Sequence, residues 1–178
     1  MRFTCRCGDC ILVAEGAPII AADCCCKSCR TAAARMEALE AAPRVTDVHG
    51  ATPFVACRKD RVRLLAGEEN LAQMWLKDGA STRRVIATCC NTPMFLEFEK
   101  GHWLSLYKDR LPEADQPPAA LRTMTKDLDD PSALPDDVPN AKSHTVGFMW
   151  RLLTAWARMG FKAPRNDWGR RPLPSEAA

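Results

Sequence analysis

The chain has 178 residues, enough for one domain with an appendage and a substantial hydrophobic core. A hydrophobic fraction of 47% excludes both a disordered chain and a membrane bundle, and a formal net charge of +3 is too small to point to nucleic acid as a partner. The start, Met1-Arg2-Phe3-Thr4-Cys5, lacks the apolar region and cleavage site of a secretory signal, so a cytoplasmic location is expected, with its ten cysteines mostly reduced. Clustered reduced thiols suggest metal rather than disulfides, and adjacent cysteines such as Cys24 to Cys26 bridge one another poorly.

Residues 1–22 read as a metal-binding knuckle followed by short strands. In Cys5-Arg6-Cys7-Gly8 the glycine permits the positive φ of a tight turn, and Ile11 to Ala14 is β-prone. Cys10 is either a third local ligand or a small buried residue starting that strand. Next comes Cys24-Cys25-Cys26-Lys27-Ser28-Cys29-Arg30, where thiols at i, i+2 and i+5 can converge on one ion. Arg30 to Ala42 has high helix propensity and ends before Pro43. A helix starting near Cys29 would favour a thiolate there through its dipole; otherwise it is a connecting helix.

From 44 to 107 the pattern is a β-meander. Plausible strands are Pro53–Cys57, Val62–Leu65, Leu71–Leu76, Arg84–Ala87, Met94–Phe98 and His102–Leu106, several of them alternating as half-buried strands do. Asp78-Gly79 and Lys100-Gly101 mark hairpin turns. Cys57 has no thiol neighbour in sequence and reads as core. Cys89-Cys90-Asn91 falls in the turn between two strands, where asparagine tolerates left-handed backbone. Two distant cysteine pairs closing on one ion would tie the N-terminal knuckle to this hairpin and add folding free energy.

Residues 108–143 are rich in proline and aspartate and read as an acidic linker, with a helical turn or two around Ala119 to Met124. Residues 144–163 form an apolar helix candidate carrying Arg151 and Arg158 on one face, followed by a basic tail, 164–178, frayed from Arg170. The apolar run is under 18 residues and is interrupted by charge, which argues against a membrane span. It is expected to dock on the domain, on a dimer partner or on a membrane surface.

Three thiols on a zinc ion leave a position open, as catalytic sites do, whereas four close it. Cys24, Cys26 and Cys29 are therefore the candidate open site. Three thiolates blunt the ion's Lewis acidity, so thiolate exchange suits the site better than water activation. Arg30 is either an anion-steadying residue or a plain surface arginine. His49, His102 and His144 are scattered, and none stands out as an acid or base. Trp75 and Trp103 read as core.

The order and spacing of the three clusters resemble the glutathione-dependent formaldehyde-activating enzyme family, which includes centromere protein V-like proteins, and most closely a divergent branch of uncharacterised function. The resemblance covers residues 1–107 and rests on Cys5-Arg6-Cys7-Gly8, Cys24 to Arg30 and Ile86 to Met94. It implies a mainly β, zinc-binding β-tent fold of short antiparallel strands, to which this chain adds a C-terminal helical extension. It also implies a structural zinc on Cys5, Cys7 and Cys90, and a catalytic one on Cys24, Cys26 and Cys29. The family's remaining structural cysteine aligns with Ala87, and Cys89 is the substitute. The family's histidine in the second motif is Cys25 here, and its Gly-Ala-x-Phe stretch is Thr31 to Met36, losses that bear on glutathione recognition. The implied activity is a carbon–sulfur lyase or thiol-adduct enzyme acting on a small thiol or thiol adduct. The alternative is a non-catalytic zinc module for protein or membrane contact, in which Cys25 or another thiol fills the open position. A third reading is a redox or metal-buffering protein.

Overall fold

The computed structural model describes residues 1–173 as a mainly β fold of two sheets carrying two α-helices. β1 (Arg2–Thr4), β2 (Ile11–Ala14) and β5 (Val62–Ala66) form a three-stranded antiparallel sheet in that order. The larger sheet runs β10 (Arg122–Thr123), β3 (Ile20–Cys24), β4 (Thr52–Arg58), β9 (Trp103–Tyr107), β8 (Thr92–Phe98), β7 (Thr82–Ala87) and β6 (Leu71–Met74). All its pairings are antiparallel except β10 with β3.

Side-chain alternation along these strands sorts residues onto two faces. Val55, Val85, Phe95, Leu104 and Leu106 join Phe3 and Leu12 of the small sheet in one core. The opposite face presents Phe54, Ile86, Leu96 and Tyr107 to α1 (Lys27–Glu37). Further along that face, Ala56 and Ile20 lie near Phe148 of α2 (Val146–Arg158). The central strands are thus covered on both sides, not half-buried as their alternation suggests: β4 and β8 are buried at six of seven positions.

The expected meander holds from β6 to β9, but β4 and β5 do not pair. β5 crosses to β2 of the small sheet, while β4 lies between β3 and β9. Arg122 and Thr123, where a helical turn was expected, instead form β10, because β3 offers an open edge: Asp23 and Cys25 donate their N–H groups to Leu121 and Thr123. Arg122 also holds the returning chain, bonding Asp137 at 2.7 Å.

α1 begins three residues before the expected Arg30, because Cys26 is its N-cap and its sulfur accepts the Cys29 N–H at 3.3 Å. α2 is capped by Thr145, whose hydroxyl oxygen accepts the Phe148 N–H at 3.1 Å. Arg170 to Leu173 do not fray: Gln73 of β6 donates to Arg171 O and accepts from the Leu173 N–H, and Leu173 is buried. The rest of that expectation, residues 174–178, lies outside the described residues. No helix among the described residues is long and apolar enough to cross a membrane.

Candidate metal centres and an apolar cavity

The seven cysteines singled out from the sequence fall into two groups, each of which could hold a metal ion. Cys5 and Cys7 sit in the turn from β1 to β2, where Gly8 takes φ +94°; Cys89 and Cys90 sit in the turn from β7 to β8, where Asn91 takes φ +50°. Their sulfurs approach to 3.5 Å for Cys5–Cys7, 3.3 Å for Cys7–Cys89, and 3.9 Å for both Cys5–Cys89 and Cys89–Cys90. A tetrahedral zinc with Zn–S near 2.3 Å places its sulfurs about 3.8 Å apart, so the donor set fits such an ion and would close its coordination. The Cys10 N–H points at the Cys5 sulfur at 3.2 Å, a donor suited to a thiolate.

Cys24, Cys26 and Cys29 form the second group, with all three sulfurs within 4.8 Å of one another. Cys24 ends β3, and the other two belong to the first turn of α1. Hydrogen bonds from the Cys24 and Cys29 thiols and from the Cys29 and Ser28 backbone N–H groups hold the Cys26 thiol below its ordinary range; the bond to Cys26 raises Cys24, bonds to Cys24 and then Cys26 raise Cys29, and burial raises both further. The helix N-terminus adds its positive end at the same place.

The other cysteines lie outside both groups. Cys25 is fully buried, and burial pushes its thiol up to about 11. Cys10 and Cys57 are buried too, each raised to about 12 chiefly by burial. Cys10 belongs to the core between the sheets, with its sulfur turned to the Gly67 carbonyl.

The three-cysteine group opens onto a cavity of about 480 Å³. Its floor is the helix-bearing face of the large sheet, including Ile20, Phe54, Leu96 and Trp103, and α2 roofs it with Phe148, Met149 and Leu152. The roof is fixed by His102, whose ring stacks on Trp156 at 5.6 Å and whose Nε2 lies 2.9 Å from the Leu152 carbonyl oxygen. Burial lowers the pKa of that imidazole.

Two wall residues escaped the sequence reading. His144, one of the scattered histidines that did not stand out as an acid or base, stands at the cavity with Nδ1 3.1 Å from the Thr123 hydroxyl and its ring stacked on Phe148. Its placement depends on β10 bringing the chain back along β3, which no local pattern encodes. Arg84 reads simply as a strand residue, yet it is 1% exposed and bonds Ser28, inside the second cysteine motif, with Nη2 3.0 Å from Oγ. Arg30 is not in the wall; it bonds the Asp127 carbonyl and the Asp129 carboxylate. Trp103 lines the cavity, whereas His49 and Trp75 do not.

No family model and no curated protein matches the chain. Among solved structures, a Rhodobacter sphaeroides protein determined as a structural genomics target aligns with 67% of this chain and 97% of its own length. The identity is 18% and the TM-score 0.47.

Proposed function

We propose that this chain is a zinc protein of two sites, one closed and structural, the other an open three-cysteine site at which a small thiol or thiol adduct is bound and its carbon–sulfur bond made or broken. The carrying observation is that Cys24, Cys26 and Cys29 stand in the wall of a largely apolar cavity large enough for a small molecule. The resemblance of the three cysteine clusters to the formaldehyde-activating family supports the same chemistry.

When bound, zinc on these three thiolates would stabilise a substrate sulfur as thiolate. The chain's own residues account for the rest. Splitting a thiohemiacetal into thiol and carbonyl moves the hydroxyl proton off oxygen as the C–S bond breaks, and the new thiol receives a proton. His144, oriented by Thr123, is the imidazole in the wall able to take and return that proton. The roof of Phe148, Met149 and Leu152 keeps water from the reacting carbon.

The test is cobalt-loaded protein titrated with 3-phenylpropane-1-thiol, alongside release of free thiol from its formaldehyde adduct. Two ions per chain, with thiol shifting only the bands lost in Cys26→Ser, support the open site. Two inert ions would leave a binding module.

One observation favours that second reading. Val146, Trp150 and Phe161 expose 87%, 63% and 60% of their surface on and just after α2, beside Arg151, Arg158 and Lys162. Such a face suits an anionic membrane surface, and co-sedimentation with phosphatidylserine vesicles, lost in Trp150→Glu, would support it.

A further inference from the structure

Arg83 and Arg84 are neighbours in β7, and alternation sends them to opposite faces of the sheet. Arg83 is saturated. It bonds Glu97 at 2.6 Å and donates to Gln73 and to the carbonyls of Asn166, Trp168 and Gly169. Arg84 is equally buried and nearly bare. Only Nη2 is engaged, with Ser28, while Nε and Nη1 have no acceptor. Among the described residues no carboxylate pairs with it. A buried guanidinium with two nitrogens left unpaired is costly to keep.

Arg84 is also part of the cavity wall, where it is the one Lys or Arg. No Asp or Glu lines that wall; its other polar members are serines, threonines, the three cysteines and His144. We infer that Arg84 is the anion anchor of the cavity, and that the ligand is a small monoanion, a carboxylate on an apolar or aromatic body. This rests on the cavity being the substrate site proposed above and names the class of substrate it takes.

Three features narrow the class. The wall holds one guanidinium and no second Lys or Arg, where a phosphate dianion would call for more than one. The α1 N-terminus, the other natural anion site nearby, is already capped by the Cys26 sulfur. The wall offers no acid to receive an ammonium group, and it is lined by Phe54, Leu96, Phe98 and Trp103. Glutathione, with two carboxylates and an ammonium on a polar peptide, matches this wall poorly. An apolar mercapto acid matches it well.

The probes separate the anchor from the metal. 3-Phenylpropanoate and 3-phenylpropanamide, which carry no thiol, are titrated by calorimetry into the metal-loaded full chain. The acid is expected to bind about tenfold or more tighter than the amide, the usual scale for a charge-assisted hydrogen bond. Arg84→Met should remove that preference while leaving the amide affinity unchanged. Arg84→Lys, which keeps charge but loses the planar donors, should retain part of it. Equal binding of acid and amide by the unaltered protein overturns the anchor, and that result needs no variant to fold. So does an equal loss of both ligands in Arg84→Met, which would mark Arg84 as a brace for the cysteine motif. A cobalt response to thiol with no acid preference overturns the anchor alone. An acid preference with no thiol response supports the anchor and overturns the open metal site.

Discussion

Replacing Glu97 by glutamine removes one negative charge and almost no volume, yet the structure predicts a large loss of stability. Glu97 is 1% exposed and stands between two buried cations, Lys59 Nζ at 2.5 Å and Arg83 Nη2 at 2.6 Å. Glutamine leaves both cations in the interior with no counter-charge. Breaking a buried ion pair in this way costs about 3–5 kcal/mol. With a urea m-value near 2 kcal/mol/M for a domain of this size, the midpoint should fall by roughly 1.5–2.5 M. Lys59→Met is the control. It leaves Glu97 balanced by Arg83, so its loss should be clearly smaller although it deletes the same number of charges. The measurement is equilibrium urea unfolding of the three metal-loaded proteins, followed by tryptophan fluorescence. A loss under about 1 kcal/mol for Glu97→Gln, or losses equal in the two variants, would refute the charge argument.

Cys7→Ser and Cys26→Ser should part company. Cys7 is exposed, so its replacement costs no packing, but it takes one of four ligands from the closed site and should lower the melting temperature sharply. Cys26→Ser should lose one metal and keep the fold, because serine is itself a good N-cap for α1; equal melting temperatures for the two would contradict the division into structural and open sites. The folded-state pKa of His102 is depressed below its ordinary 6.5, so its contribution to stability is complete above that value and is lost as pH falls through the window below it. The protection of α2 against hydrogen exchange, taken relative to the intrinsic exchange rate at each pH, should therefore fall as pH drops below 6.5, and more steeply in the unaltered protein than in His102→Gln; parallel slopes would clear His102 of the effect. In Gly169, where φ is +61°, an added Cβ would stand 2.8 Å from Val85 and 3.0 Å from Leu71. Gly169→Ala should loosen the tail from β6, read as faster proteolysis between residues 160 and 170, and an unchanged cleavage rate would show that the tail is held elsewhere.

The parts of this architecture that were legible in the sequence are those encoded locally. Asp78-Gly79 and Lys100-Gly101 mark their hairpins, Gly8 and Asn91 take the positive φ that their knuckles need, and spacing alone draws Cys24, Cys26 and Cys29 together, whereas joining Cys5 and Cys7 to Cys89 and Cys90 rests on the family resemblance. What was not legible depends on partners distant in the chain. β5 leaves the meander because β2 offers an edge, and residues 121–123 become a strand because β3 offers another. Arg83 and Arg84 look identical in sequence, and only the two coverings of β7 separate a saturated arginine from a bare one. His144 reaches the cavity through that same added strand.

The two thiol groups differ in how much chain they span, and this bears on the order in which a newly made polypeptide is metallated. Cys24 and Cys29 are five residues apart, whereas Cys5 and Cys89 are separated by 84. Closing the longer loop costs about 2.5 kcal/mol more in chain entropy, from the logarithmic dependence on length. If both groups take metal, the local triad can meet an ion before the sheets exist, at the smaller entropy cost, while the four-sulfur site must wait for β7 and β8 to meet β1.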